Sequence, residues 1–193
     1  SVVGDSEARN VTMGTFHSVF AKILRYHADK IGYPNNFTIY DSQDSKSLIK
    51  SIIKEMGLDD KIYKPGLVLS RISTAKNNLI SPSQYEANSE IVGEDRMSGK
   101  PKLYLIYKQY ESRCFKAGAM DFDDLLFKMN VLLRDFPDVL NFYQHRFRYI
   151  LVDEYQDTNY SQYLIVKKLA ALYENLCVVG DDAQSIYSFR GAN

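Results

Sequence analysis

Two short apolar runs near the end of the chain constrain its fold more than any other feature. Residues 149–152 read Tyr-Ile-Leu-Val and residues 176–179 read Leu-Cys-Val-Val, with apolar residues at helical spacing over 161–173 between them. Short all-apolar runs are typical of strands that are buried on both faces of a parallel sheet. Parallel neighbours need a crossover connection, which is usually a helix. The sequence therefore predicts a β-α-β unit and an α/β fold at this end of the chain.

Two carboxylates follow the first of these runs directly. Asp153 and Glu154 stand at its end, and ligands of open parallel sheets bind outside the carboxyl ends of the strands. One aspartate there can hold Mg²⁺, commonly through a water, and a neighbouring glutamate can orient a water for attack on a phosphoryl group. The pattern therefore indicates a nucleotide hydrolase. A solvent-exposed acidic turn after a strand is the alternative interpretation.

The second run leads into a polar and aromatic segment at the same predicted edge of the sheet. Gln184 is a neutral donor and acceptor that suits contact with a γ-phosphate, and Tyr187 and Phe189 alternate with Arg190. Aromatic rings and a guanidinium in this order suit base stacking and phosphate contact. A strand-to-helix loop whose aromatic residues anchor the core is the alternative.

The sequence ahead of this unit is mainly helical. Apolar residues recur at helical spacing over about 19–27, 48–56, 65–75, 101–117, 120–134 and 136–147, and 37–40 is a short alternating run. The polar segment 80–100 contains one proline and two glycines, so we expect it to be a loop. Asp121, Asp123 and Asp124 suggest a metal cluster at first sight, but only 121 and 124 share a helix face. We therefore expect Asp121 to cap a helix, with Asp124 as a candidate organiser of nearby loops.

Charge is unevenly distributed along a chain whose net charge is zero. Residues 42–117 carry 13 lysines and arginines against 9 acids, which leaves 11 against 15 for the remainder. A basic segment beside an acidic one fits a polyanionic partner, and a solvated helical surface is the alternative. The two cysteines, Cys114 and Cys177, lack zinc-site spacing, and no apolar run approaches the roughly 18–20 residues of a membrane span. We expect reduced thiols, a cytoplasmic location and no membrane contact; Ser1 suggests a start inside a longer protein.

Four segments together resemble one family. Residues 153–159 (DEYQDTN) and 179–192 (VGDDAQSIYSFRGA) closely resemble motifs II and III of the UvrD/Rep-type superfamily 1 DNA helicases. Residues 15–18 (TFHS) look like motif Ib of that family, and residues 120–125 (MDFDDL) look like its further acidic segment. The four segments occur in the order in which the family has them, and they bracket almost the whole chain.

This resemblance implies a nucleotide site that uses ATP and Mg²⁺. Asp153 would hold the Mg²⁺ of ATP, and Glu154 would activate the attacking water. Gln184 would contact the γ-phosphate and couple hydrolysis to DNA binding. The expected enzyme is therefore an ATP-dependent hydrolase.

The resemblance also implies a DNA-binding surface. Thr15 and His17 would contact the DNA backbone, and Tyr187, Phe189 and Arg190 would face single-stranded DNA. Phe189 stands where many relatives have tryptophan, which keeps a stacking face but reduces its area. From the residues alone, a histidine beside a helix start is more often a packing or capping residue than a ligand.

The fold that the resemblance implies is a partial RecA-like P-loop NTPase domain. Residues 1–41 and 118–193 would form part of its parallel sheet, and 42–117 would be an inserted, mostly helical subdomain. The 193 residues contain no G-x-x-x-x-G-K-[ST] phosphate loop; the Gly-Lys pair at 99–100 is followed by proline. We therefore expect an exposed or partly disordered edge in the sheet.

The activity that the resemblance implies is that of a larger parent protein. That parent would be an ATP-dependent 3′→5′ DNA helicase, a DNA repair-type enzyme acting on single-stranded and forked DNA. The 193 residues alone would be a poor or inactive ATPase. A non-enzymatic DNA-binding or interaction module is one alternative, and the helicase half of a helicase–nuclease is another.

Overall fold

The computed structural model describes residues 11–153 and 159–178. Its helices are α1 Phe16–Tyr26, α2 Ser42–Glu55, α3 Pro65–Asn77, α4 Pro82–Ala87, α5 Ser89–Met97, α6 Leu103–Lys116, α7 Phe122–Asp135, α8 Pro137–Arg146 and α9 Tyr160–Ala170, with a short 3₁₀ helix at Ala28–Ile31. Its strands are β1 Thr38–Tyr40, β2 Ala119–Asp121, β3 Ile150–Val152 and β4 Leu176–Val178. None of the helices in these two ranges combines the length and the apolarity that crossing a membrane requires.

The predicted β-α-β unit is confirmed. β3 pairs in parallel with β4, with Ile150 opposite Leu176, and α9 forms the crossover. The expectation that these strands are buried on both faces is wrong, since Val152 is buried whereas Leu151 is 68% exposed. Helical residues, among them Val166, cover one face of β3. Successive side chains of a strand point to opposite faces, so Leu151 lies on the face that the described helices leave open.

A second parallel pair was only half predicted. β1 pairs with β2, with Tyr40 opposite Asp121, whereas the sequence pattern placed the start of a helix at Met120. That placement is wrong because a three-residue strand is too short to show a period of two, and its partner lies about 80 residues earlier. Asp121 does cap α7, as predicted: its carboxylate accepts from the Asp124 N–H at 2.7 Å.

The prediction of a loop over 80–100 is also wrong, since α4 and α5 lie there. α4 begins with a capping box, in which Ser81 Oγ accepts from the Gln84 N–H and Gln84 Oε1 accepts from the Ser81 N–H. Asn88 caps α5 in turn by accepting from the Ile91 N–H. Each cap satisfies backbone donors that a helix start leaves unpaired, so short polar helices can begin at these residues.

Tertiary contacts then stabilise these two short helices. Tyr85 of α4 is buried against Tyr107, and its hydroxyl donates to Asp95 of α5. The other oxygen of Asp95 accepts from Arg71 of α3 at 2.7 Å. A buried carboxylate with two such partners explains a helix that the weak apolar periodicity of the segment did not predict.

Apolar side chains form two large clusters. The first contains residues of α1, the 3₁₀ helix, the segment between that helix and β1, and β2, α7, α8 and α9: Phe20, Ala21, Ile23, Leu24, Ala28, Tyr33, Phe37, Met120, Leu125, Leu126, Met129, Leu132, Leu133, Val139, Tyr143, Ile165 and Leu169. The second lies wholly between residues 49 and 114: Ile49, Ile52, Ile53, Tyr63, Val68, Ile72, Ala75, Tyr85, Leu103, Ile106, Tyr107, Tyr110 and Cys114. Helix α3, which belongs to the second cluster, packs on α7, which belongs to the first.

Candidate functional site

A cleft of about 520 Å³ brings together three of the residues that the sequence singled out. Thr15 and His17 line it from the start of α1, and Asp153 lines it from the carboxyl end of β3. Apolar residues of β3 and α9, such as Val152 and Val166, complete the walls. The volume falls in the range of roughly 300–1,000 Å³ that small-molecule sites occupy. Residues far apart in sequence therefore share one concave surface.

The start of α1 presents features that favour an anion. Thr15 is its N-cap, with Oγ accepting from the Ser18 N–H at 3.2 Å, and Ser18 Oγ donates to the Thr15 carbonyl at 3.0 Å. A hydroxyl that accepts can still donate its own proton. The first turn of α1 contains no acidic residue, so the positive end of the helix dipole is not offset there. Such a helix start suits a phosphate group.

His17 lies half-buried in the first turn of α1. Burial lowers the pKa of its imidazole, although the nearby charge of Asp123 acts in the opposite direction. The ring meets the Phe122 ring edge-on, with 6.0 Å between centroids. A neutral imidazole carries one N–H donor and one acceptor nitrogen, so His17 is suited to hydrogen bonding rather than to charge pairing.

Asp153 is the only predicted metal or catalytic residue that lies within the described ranges. Its carboxylate is exposed at the carboxyl end of β3, the edge at which parallel sheets bind ligands. An exposed aspartate that leaves room for water fits a Mg²⁺ ligand, because Mg²⁺ keeps several waters.

The remaining predicted site residues lie outside the described ranges 11–153 and 159–178. They are Glu154, Gln184, Tyr187, Phe189 and Arg190. Their predicted roles therefore stay predictions.

A second, smaller cleft of about 330 Å³ lies at the carboxyl ends of β1 and β2. Its walls come from the starts of α2 and α7 and from α3, with Ser42, Lys46, Ser73, Phe122 and Asp123 among them. The same Phe122 ring contacts His17. The two clefts therefore lie on either side of the His17–Phe122 contact.

A buried ionic cluster, which the sequence analysis missed, lies behind the start of α7. The Lys76 ammonium contacts Glu111 of α6 and lies 2.8 Å from Asp121 Oδ2 and 3.0 Å from Asp124 Oδ1. The three carboxylates have oxygens within 4.8 Å of one another, so the lysine occupies the place that a metal ion would take. The Tyr110 hydroxyl donates to Asp121 Oδ2 at 2.7 Å. This cluster agrees with the structural interpretation of the acidic segment.

The burial of Lys76 could have been predicted from residue spacing. Lys76 follows Ile72 by four residues and Val68 by eight, which places it on the buried stripe of α3. A lysine on such a stripe needs compensating carboxylates, because a buried charge is otherwise too costly. The partners themselves lie at least 35 residues away, and spacing does not identify them.

Comparison with known proteins finds relatives over the whole chain. The family model for the UvrD/REP helicase N-terminal domain matches residues 1–193. The chain is 44% identical to the ATP-dependent DNA helicase PcrA of Bacillus subtilis over 195 residues, which cover 100% of this chain and 25% of that protein. It is 44% identical to the PcrA of Staphylococcus epidermidis over 197 residues and 42% identical to that of Staphylococcus aureus over 192, with the same coverage.

The chain therefore spans about a quarter of the length of the curated relatives that it matches. The small parallel sheets and the helices around them are consistent with a partial RecA-like α/β fold. A family model that covers every residue, together with motif-like segments in the same order, identifies the family. The chain belongs to the UvrD/REP helicase N-terminal domain family.

Proposed function

We propose that this chain is the part of an ATP-dependent DNA helicase that contributes carboxylates to the nucleotide site and contacts to single-stranded DNA. The observation that carries the proposal is the shared cleft, which Asp153 lines from one side and Thr15 and His17 line from the other. The cleft therefore places the candidate Mg²⁺ ligand and the candidate DNA contacts on one surface. The names of the relatives, ATP-dependent DNA helicases, support the same assignment.

In this proposal each site residue has its own role. Asp153 would hold Mg²⁺ through a water, Glu154 would orient the attacking water, and Gln184 would contact the γ-phosphate. The start of α1 would bind a backbone phosphate through Thr15 and through the helix N–H groups. Bound Mg²⁺ would supply neutralisation of the phosphate charge.

The proposed DNA surface consists of His17 and the residues of the predicted aromatic segment. His17 would donate a hydrogen bond to the DNA backbone, which needs no charge on the imidazole. Tyr187 and Phe189 would stack on bases and Arg190 would pair with phosphate. We propose single-stranded and forked DNA as the substrates, 3′→5′ as the direction of translocation, and the cytoplasm as the location.

We also propose that residues 42–117 are a helical subdomain inserted between the two parts of a RecA-like domain, 1–41 and 118–193. Two observations support this division. The second hydrophobic cluster lies entirely between residues 49 and 114, and the first draws on residues before 38 and after 119. The strands β1 and β2, which flank the insert in sequence, pair directly with each other.

ATP hydrolysis by the full-length natural protein tests the proposal. We expect Glu154→Gln to abolish DNA-stimulated turnover, and Thr15→Ala or His17→Ala to raise the DNA concentration that gives half-maximal stimulation. His145→Ala is the matched control, because His145 is an exposed histidine on α8 that does not line the cleft. DNA stimulation identical to that of the natural protein in both Thr15→Ala and His17→Ala would refute the DNA contact. Unwinding of 5′-tailed but not 3′-tailed duplexes would refute the direction.

A further inference from the structure

Lys76 is one of the most deeply buried charged residues in the part of the chain that the structure describes, and the proposed chemistry does not use it. Its side chain is 1% exposed at the end of α3, and its ammonium contacts carboxylates on three other elements. Glu111 belongs to α6, Asp121 ends β2, and Asp124 lies in the first turn of α7. Lys76 and Glu111 lie on helices of the second hydrophobic cluster, whereas Asp121 and Asp124 lie on β2 and α7, which contribute to the first. The ionic cluster therefore joins the two halves of the molecule.

Asp121 connects this ionic cluster to the start of α7. Asp121 Oδ2 accepts hydrogen bonds from the Lys76 ammonium and the Tyr110 hydroxyl. Its Oδ1 accepts from the Asp124 N–H. One carboxylate thus binds both the insert and the first turn of the helix. Because the helix cap and the ion pair share a side chain, the ion pair links the first turn of α7 to Lys76 of α3.

The first turn of α7 in turn contacts His17. Phe122, the first residue of α7, packs its ring edge-on against the imidazole. Asp123, the next residue, influences the imidazole through its charge and lines the second cleft together with Ser73 of α3. The two residues that follow the Lys76-bound aspartate therefore both act on the imidazole, Phe122 by contact and Asp123 through its charge.

We infer that Lys76 is a positioning residue for the DNA contact: its ammonium ties residues 42–117 to the start of α7, and Phe122 and Asp123 then orient His17. The inference rests on the proposed function of His17 as a DNA contact. Lys76 itself touches no DNA in this account, since its ammonium is enclosed by protein. Through this ion pair, the orientation of residues 42–117 becomes a determinant of DNA affinity.

DNA affinity of the full-length natural protein tests the inference. We expect Lys76→Met to raise the Kd for single-stranded DNA by about 2- to 30-fold, the range found for residues that couple two sites without touching a ligand. Arg71→Met is the matched control, because Arg71 also lies on α3 and also pairs with a buried carboxylate, Asp95, but that carboxylate belongs to α5. The control is expected to leave the Kd unchanged.

A second readout separates positioning from loss of stability. In the natural protein, burial holds the pKa of His17 below its ordinary value, although the charge of the neighbouring Asp123 acts in the opposite direction. NMR of selectively labelled histidine reports this pKa. We expect Lys76→Met to move the His17 titration, whereas Arg71→Met leaves it in place. A variant that is merely less stable would show the unchanged titration in its folded molecules.

Lys76→Met leaves buried carboxylates without a counter-ion, so a charge-balanced variant guards against failure to fold. Lys76→Met combined with Asp121→Asn and Asp124→Asn removes the ionic tie, while asparagine still caps a helix. We expect this variant to fold and to bind DNA as weakly as Lys76→Met.

The outcomes distinguish the inference from the function on which it rests. DNA binding that His17→Ala does not weaken would overturn the proposed DNA contact. DNA binding that His17→Ala weakens, while Lys76→Met and the charge-balanced variant both bind DNA as the natural protein does, would overturn the positioning role of Lys76 alone.

Discussion

The pH dependence of the unfolding free energy reports directly on Asp124, one of the carboxylates of the buried ionic cluster. Burial, and after it the charge of Asp121, raise the pKa of the Asp124 carboxyl to about 8, although Lys76 and Lys128 act in the opposite direction and Glu111 adds to the rise. An unfolded chain returns the carboxyl to about 3.9. Between these values the folded chain binds a proton that the unfolded chain does not.

The sign and size of the effect follow from proton linkage. A folded state that binds one extra proton loses about 1.4 kcal/mol of unfolding free energy for each unit of rising pH. This contribution of Asp124 is largest below about pH 4 and has been lost by about pH 8. Asp124→Asn removes the titration but keeps an oxygen that can accept from the Asp121 N–H. The stability of the variant relative to the natural chain should therefore rise by about 3 kcal/mol from pH 5 to pH 7.

Urea unfolding followed by circular dichroism measures this difference, because the chain contains no tryptophan for fluorescence. Asp44→Asn is the matched control: Asp44 occupies the same capping-box position in α2, but it is exposed. Other groups that titrate in this window, such as His17 and His27, contribute equally to each chain and cancel in the difference. If the stability of Asp124→Asn relative to the natural chain changes with pH as little as that of Asp44→Asn does, that result would refute the argument that burial raises the pKa of Asp124.

Two further substitutions test the local account of the fold by the same unfolding measurement. Ser81→Ala removes the cap of α4 and should cost about 1 kcal/mol, whereas Ser112→Ala, at an exposed serine of α6, should change stability by less than about 0.5 kcal/mol. Equal effects would show that the capping box contributes nothing. Ile106→Ala empties a position that is 0% exposed and should cost about 2–5 kcal/mol, against about 1 kcal/mol or less for Ile62→Ala, which starts 47% exposed. A cost below 1 kcal/mol at Ile106 would contradict its place in the second cluster.

The parts of the fold that local patterns encode were predicted well from the sequence. The apolar runs at 150–152 and 176–178 pair as parallel strands, and Asp121 caps the helix that follows it. In each case the signal acts over a few residues: apolar side chains at a fixed period, or a carboxylate that accepts from a backbone N–H three residues later. A short segment carries such information whatever surrounds it.

The errors fall where long-range contacts decide the outcome. The helices within 80–100 have weak apolar periodicity and depend on Tyr85 and Asp95, whose partners lie on other helices. β2 exists because Ala119 meets Thr38. Leu151 is exposed although its residue type predicts burial, since the described helices cover only the opposite face of the strand.

The candidate site shows the same division. By itself, the sequence predicted the candidate site residues: the carboxylates after a strand from their pattern, and Thr15 and His17 from their resemblance to a family motif. Only the tertiary structure decided that Asp153 shares a cleft with Thr15 and His17, and that Lys76 sits among carboxylates 35 to 48 residues away. The physical reason is that caps and periodicity are satisfied within one element. The compensation of a buried charge requires side chains that only the folded chain brings together.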